Sequence, residues 1–135
     1  MDIRDYTPAD FAAATALWTL CGLHPSASDT PERLAVVARH NPGLFLVAEA
    51  EGMLIATVMG CWDGRRGWIN RLAVHPDRRG EALGRRMVAL VEDRLRARGC
   101  DKVNLLVEPD NAAVGAYYAA AGYTCDPLIF MEKWL

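Results

Sequence analysis

The sequence predicts an α/β (α+β) domain: a mixed, mostly antiparallel sheet of six to seven strands flanked by about four helices, in the order β-α-α-β-β-β-α-β-α-β-β. Three observations carry this expectation. Apolar runs between residues 44 and 74 are joined by the short turns Glu51-Gly52 and Asp63-Gly64-Arg65-Arg66-Gly67, the layout of an antiparallel meander. A long amphipathic segment over 83–98 then separates two strand-like runs, so these should lie parallel with the helix as crossover. The 135 residues, 52% of them hydrophobic, suffice for one domain with its own core, residues 1–135.

Each element has a local reason. Residues 2–6 read as a short strand. Thr7-Pro8-Ala9-Asp10 is a helix start, with a Thr cap, Pro at the first helical position and an acid in the first turn; that helix runs to about Leu20 and stops at Gly22. After a polar loop, Thr30-Pro31-Glu32 repeats the signal, and Asn41-Pro42-Gly43 ends the second helix. The strands of the meander are Leu44–Glu49, Met53–Trp62 and Trp68–Val74. The 83–98 helix carries Leu83, Met87, Leu90, Val91 and Leu95 on one face, with Arg85, Arg86, Arg94 and Arg96 largely on the other. It ends at Gly99, and Lys102–Val107 follows as a strand. Pro109-Asp110-Asn111 caps a helix that runs to Ala121 and stops at Gly122. Residues 123–126 and 129–134, around Pro127, read as two closing strands.

Charge and composition narrow the function. A net charge of −2 leaves no footprint for nucleic acid, whose binders are usually strongly basic. No apolar stretch approaches 18 residues, so no membrane span is expected. Met1-Asp2-Ile3-Arg4-Asp5 lacks the basic-then-apolar layout of a secretory signal. Cys21, Cys61, Cys100 and Cys125 lie far apart, which reads as reduced cytoplasmic thiols and no metal site.

The most informative stretch runs from Leu72-Ala73-Val74-His75-Pro76 through Arg79-Gly80-Glu81-Ala82-Leu83-Gly84 to Arg85-Arg86. A strand, a turn holding Pro76 and Gly80, and a helix with two arginines in its first turn or so point N–H groups at one spot, at the positive end of a helix dipole. One exposed dipole contact contributes only about 0.3–1 kcal/mol, so several must act together on a polyanion such as a pyrophosphate. The order resembles motif A of the GNAT acyltransferases, Arg/Gln-x-x-Gly-x-Gly/Ala, with Ala82 where the family's middle glycine stands. Asn111, Tyr118, Gly122 and Tyr123 fall on the positions of the GNAT motif B. Leu44–Glu49 and Thr57-Val58-Met59-Gly60 look most like the small bacterial YpeA-like branch of that family.

The resemblance implies the GNAT fold and an acetyl-CoA-dependent N-acetyltransferase, with direct attack by an amine in a ternary complex. It implies that backbone groups of Leu72, Ala73 and Val74 bond the pantetheine amides, and that N–H groups of Arg79, Gly80, Glu81, Ala82, Leu83, Gly84 and Arg85 hold the pyrophosphate. Asn111 would bond the pantetheine arm, or serve only as a helix cap. Gly115 permits either close approach of the cofactor or tight helix–sheet packing. Tyr118 suits a general acid. With Cys as proxy, the departing CoA thiol has a pKa of roughly 8.5, and a tyrosine at about 10 still holds its proton at neutral pH. The reading against it is a core tyrosine on an alanine-rich helix.

The base is less evident. An alkyl amine of pKa about 10.4 is roughly 3.4 units from neutral at pH 7, a penalty of about 4.6 kcal/mol for the attacking form. Relatives carry Glu at positions that correspond here to Asn70 and Leu106. Asn70 can order a water, Glu108 is a second candidate, and Glu49 a weaker one. The acceptor, a small-molecule or protein amine, would sit among the 22–30 loop, the second helix and the Trp62–Trp68 hairpin, with Asp63 as a cation ligand or merely a turn residue. Ala82 and the absent base favour a rival, a GNAT-fold acyl-CoA-binding or partner-binding module with little or no turnover. Exposed strand edges leave a homodimer open.

Overall fold

The computed structural model describes residues 1–108 and 112–135, the side chains of residues 112 and 113 excepted. The chain divides into two compact units, Met1–Leu105 and Leu106–Leu135.

The first unit is a sheet with helices on both faces. Its strands are β1 (Asp2–Asp5), β2 (Phe45–Ala50), β3 (Met53–Trp62), β4 (Gly67–Val74) and β5 (Val103–Leu105). They lie side by side in chain order, antiparallel from β1 to β4, with β5 parallel to β4. Helix α1 (Phe11–Leu20) follows a short 3-10 turn at Pro8–Asp10, and α2 is Pro31–His40. The start of this region is fixed by Asp10, which accepts the Thr7 N–H at 2.8 Å and pairs with the Arg4 guanidinium at 2.8 Å. The turns of the meander work as their chemistry demands. Asp63 Oδ1 accepts the N–H groups of Arg65 and Arg66 at 2.8 and 2.7 Å, so this carboxylate is a turn residue.

Face assignment follows from cross-strand partners, which share a face. Phe45, Val47, Met59 and Ala73 pack with Tyr6, Ala14, Leu17, Trp18 and Leu34, so α1 and α2 cover one face. Helix α3 (Leu83–Ala97) covers the other with buried Leu83, Met87, Val88, Val91 and Leu95. Its approach is close at Gly60, where a Cβ would come within 2.7 Å of Val91 Cγ1 and 3.1 Å of the Leu44 carbonyl.

The second unit contains α4 (Ala112–Ala120). The six-to-seven-strand expectation is corrected here: among the described residues the sheet has five strands, and residues 123–126 and 129–134 have no regular secondary structure. An apolar run such as Ile129-Phe130-Met131 is compatible with a strand, but a strand also needs a partner for its N–H and C=O groups. Pro127 supplies no N–H, and Leu128 N–H turns back onto the Asp126 carbonyl at 2.8 Å.

Candidate acyl-transfer site

The site grows from a defect in β4. Thr57 pairs with Ala73 and Met59 with Asn70, so β4 carries one extra residue opposite Val58. This bulge puts Arg71 at φ 53°, in left-handed backbone. The Thr57 hydroxyl donates to the Arg71 carbonyl at 2.8 Å, replacing the ladder bond lost there. β4 pairs with β5 only over Gly67–Ile69, and with β3 as far as Val74. Asn70 is therefore the first β4 residue past the β5 pairing. It shares a face with Met59, the α1–α2 face, and is exposed.

Beyond the bulge, His75 N–H donates to the Ile55 carbonyl at 2.8 Å. Ladder bonds alternate, so the N–H and C=O of Val74 point away from β3, toward the side where β5 has ended. The Val74 carbonyl accepts from Arg79 Nε at 3.3 Å and from Cys21 Sγ at 3.4 Å.

The chain then turns through Pro76–Arg78, whose first N–H groups are capped by His75: Nδ1 accepts from Asp77 N–H at 3.1 Å. Gly80 (φ 86°) and Ala82 (φ 59°) are both left-handed, and α3 begins at Leu83. The first hydrogen bond of α3 is Arg86 N–H to the Ala82 carbonyl, 3.0 Å. The N–H groups of Leu83, Gly84 and Arg85 precede it, and Ala82 has no side-chain oxygen to cap them. Helix α2 shows the ordinary solution: Thr30 Oγ1 accepts from Arg33 N–H at 3.2 Å, and Glu32 sits in its first turn. Helix α3 has no acid in its first turn and carries exposed Arg85 and Arg86 there. These N–H groups and cations fit an anionic group such as a pyrophosphate. Glu81 faces Arg78 at 3.5 Å.

In the second unit Tyr118 is 6% exposed. Its ring meets Tyr117 edge-on at 5.3 Å and Tyr123 edge-on at 5.4 Å. Burial, and after it the neighbouring Tyr117, push the Tyr118 phenol well above its usual range, so it holds its proton at any ordinary pH. Glu108 is exposed in the same unit. Asn111 lies outside the described residues. A Cβ on Gly115 would meet no atom within 4 Å among the described residues.

The weaker base candidate, Glu49, takes a structural place, and so does Trp18. Glu49 accepts from the Arg4 guanidinium at 2.8 Å, and Trp18 is fully buried core. Arg71 belongs to no motif, and its setting depends on a bulge that no turn residue or spacing announces. No described helix is long and apolar enough to cross a membrane.

The first unit thus presents an α/β sheet with a half-open parallel pair beside an uncapped, cation-flanked helix start. Residues 11–123 match the family model described as acetyltransferase (GNAT) family. The chain is 38% identical over 135 residues to acetyltransferase YE1169 of Yersinia enterocolitica, covering all of this chain and 96% of the relative. It is 39% identical over 136 residues to acetyltransferase SG1711 of Sodalis glossinidius, with the same coverage. Two solved structures share the fold. The PaiA N-acetyltransferase of Thermoplasma acidophilum, in complex with coenzyme A, matches with TM-score 0.79 and 19% identity over 95% of this chain and 92% of that one. AAC(6')-Iy, in complex with the bisubstrate analog CoA-S-monomethyl-acetylneamine, matches with TM-score 0.76 and 18% identity over 99% and 98%. The chain belongs to the GNAT acetyltransferase family, and it is an acyltransferase.

Proposed function

We propose that residues 1–135 form a single N-acetyltransferase domain that moves acetyl from acetyl-CoA to an amine by direct attack in a ternary complex. The observation that carries this reading is the uncapped first turn of α3 beyond a strand whose parallel partner stops at Ile69. A CoA pyrophosphate supplies the charge that Leu83, Gly84 and Arg85 N–H groups lack, with Arg79, Gly80, Glu81 and Ala82 forming the approach. Backbone groups of Leu72 and Val74 take the pantetheine amides as an added strand would, once Arg79 yields the Val74 carbonyl; those of Ala73, the third residue of the expected set, face Thr57 of β3 instead. Asn111 bonds the pantetheine arm.

Tyr118, protonated because it is buried, donates to the thiolate as it leaves. Asn70, at the point where β4 and β5 part, orders the water that takes the amine proton; Glu108 is the second candidate for that task. Acetyl-CoA, as co-substrate, supplies the acyl group.

Titration calorimetry with acetyl-CoA tests the reading, with ATP and NADH as controls, followed by CoA release with a primary-amine panel. Saturable binding of acetyl-CoA alone, with amine-dependent release, is expected. No binding at millimolar acetyl-CoA would overturn it.

A further inference from the structure

The bulge residue Arg71 does more than bend β4. Its guanidinium carbon lies 4.9 Å from the Trp18 ring centroid, and its Nη2 donates to the His24 carbonyl at 3.1 Å and pairs with the Asp29 carboxylate. Both side chains are largely covered, 18% and 10% exposed. Asp29 Oδ2 also accepts from Ser26 N–H at 2.8 Å, and Asp29 N–H donates to the Ser26 carbonyl at 3.0 Å. From the other side, Trp18 Nε1 donates to Thr57 Oγ1 at 2.8 Å, and Thr57 donates on to the Arg71 carbonyl. One residue thus ties α1, β3 and the bulge of β4 to the loop between α1 and α2.

The place of this knot matters. A ligand whose phosphates sit at the start of α3 and whose arm follows β4 backward from Val74 reaches Arg71 after about 10 Å, at roughly 3.3 Å per residue. Its acyl end then lies beside Asn70, on the face that α1 and α2 share. The loop that Arg71 grips stands at that end.

We propose that Arg71 is a positioning residue for the acceptor: its ion pair with Asp29 and its seat on Trp18 hold the 23–29 loop as one wall of the acceptor site. This rests on the N-acetyltransferase reading above. The role is separate from cofactor binding, because the Arg71 side chain is not among the groups assigned to acetyl-CoA, and the kink of the bulge is held by Thr57.

The test compares wild type with Arg71→Met, Asp29→Asn and Arg71→Lys. It uses hydrogen exchange across residues 23–29, acetyl-CoA calorimetry, and steady-state acetylation of the primary-amine panel. Arg71→Met should speed exchange at Ser26 and its neighbours. It should raise the KM for the best amine about fivefold or more, since a misplaced wall costs reacting geometry, and change the order of amine preference. The acetyl-CoA Kd should stay within about twofold, because the ligand's strand contacts are untouched. Asp29→Asn, isosteric and still able to accept from Ser26, should follow Arg71→Met even if the latter folds poorly. Arg71→Lys keeps the charge without the two-pronged geometry and should fall between. Unchanged exchange in both charge-removing variants would overturn the clasp. Faster exchange with unchanged amine KM and ranking would overturn the positioning role. A wild type that binds acetyl-CoA yet acetylates no amine would overturn the enzyme reading, and this inference with it.

Discussion

Tyr123 closes the end of α4 onto Tyr118: its N–H reaches the Tyr118 carbonyl at 3.0 Å, and the two rings meet edge-on at 5.4 Å. Between them Gly122 stands at φ 96°, with its N–H on the Ala119 carbonyl at 3.1 Å. This is a Schellman ending with its apolar contact made by aromatic rings. Gly122→Ala puts a side chain into left-handed backbone and should cost about 1–2 kcal/mol. Thermal unfolding reads the loss, and the near-ultraviolet tyrosine signal should weaken with it.

Tyr118→Phe keeps the ring contacts and removes the proton. If Tyr118 protonates the leaving thiolate, turnover should fall about 10²-fold or more with the fold intact. The variant also changes the alkaline limb of stability. The native phenol keeps its proton above the ordinary value of about 10, where the unfolded chain gives it up. Stability from this group is present below pH 10 and is lost as pH rises past it. Denaturant midpoints measured from pH 9 to 11 should fall less steeply in Tyr118→Phe.

Ala82 holds a conformation that glycine adopts freely, φ 59° and ψ 19°. A left-handed alanine costs about 1–2 kcal/mol. Glycine returns some of that through a more disordered unfolded chain, about 0.4–1 kcal/mol. Ala82→Gly should therefore stabilise by roughly 0.5–1 kcal/mol and tighten acetyl-CoA, with both effects visible in thermal unfolding with and without the ligand.

The Arg4–Asp10 pair sets an acid limit. The Arg4 guanidinium, and the Thr7 N–H with it, hold the Asp10 carboxyl below its usual range. Its contribution is complete above the unfolded value near 3.9 and is lost as pH falls through the lower native value. Asp10→Asn should cost about 1–2 kcal/mol at pH 7. Its stability should then decline less steeply than wild type between pH 4 and 2, as urea midpoints would show.

Much of this architecture is legible in local chemistry. Turn residues at 51–52 and 63–67 place β2, β3 and β4 within a residue or so of the expected bounds. The apolar stripe of α3 is buried at Leu83, Met87, Val91 and Leu95, as its spacing requires. The Ala82 departure from the family pattern marks a position whose demand is on the backbone. Arg71 is not legible in the sequence because its left-handed φ comes from a mismatch between β3 and β4, and no property of residue 71 alone encodes that mismatch. β5 is shorter than Lys102–Val107 because the same bend ends its pairing at Ile69. The expected closing strands at 123–126 and 129–134 do not form, because a strand depends on a partner elsewhere in the chain that these residues do not announce.

The early end of the β4–β5 ladder leaves an edge of β4 that, on the proposed function, the ligand completes. In the proposed complex, hydrogen bonds that other sheets spend on a neighbouring strand go to a small molecule, so ligand occupancy and resistance to unfolding become one equilibrium. At a free concentration about a hundred times Kd, a ligand bound only by the folded state adds about 2.7 kcal/mol of stability. The melting temperature of this chain is thus an assay of what lies along β4, usable on any acyl-CoA before an acceptor is known.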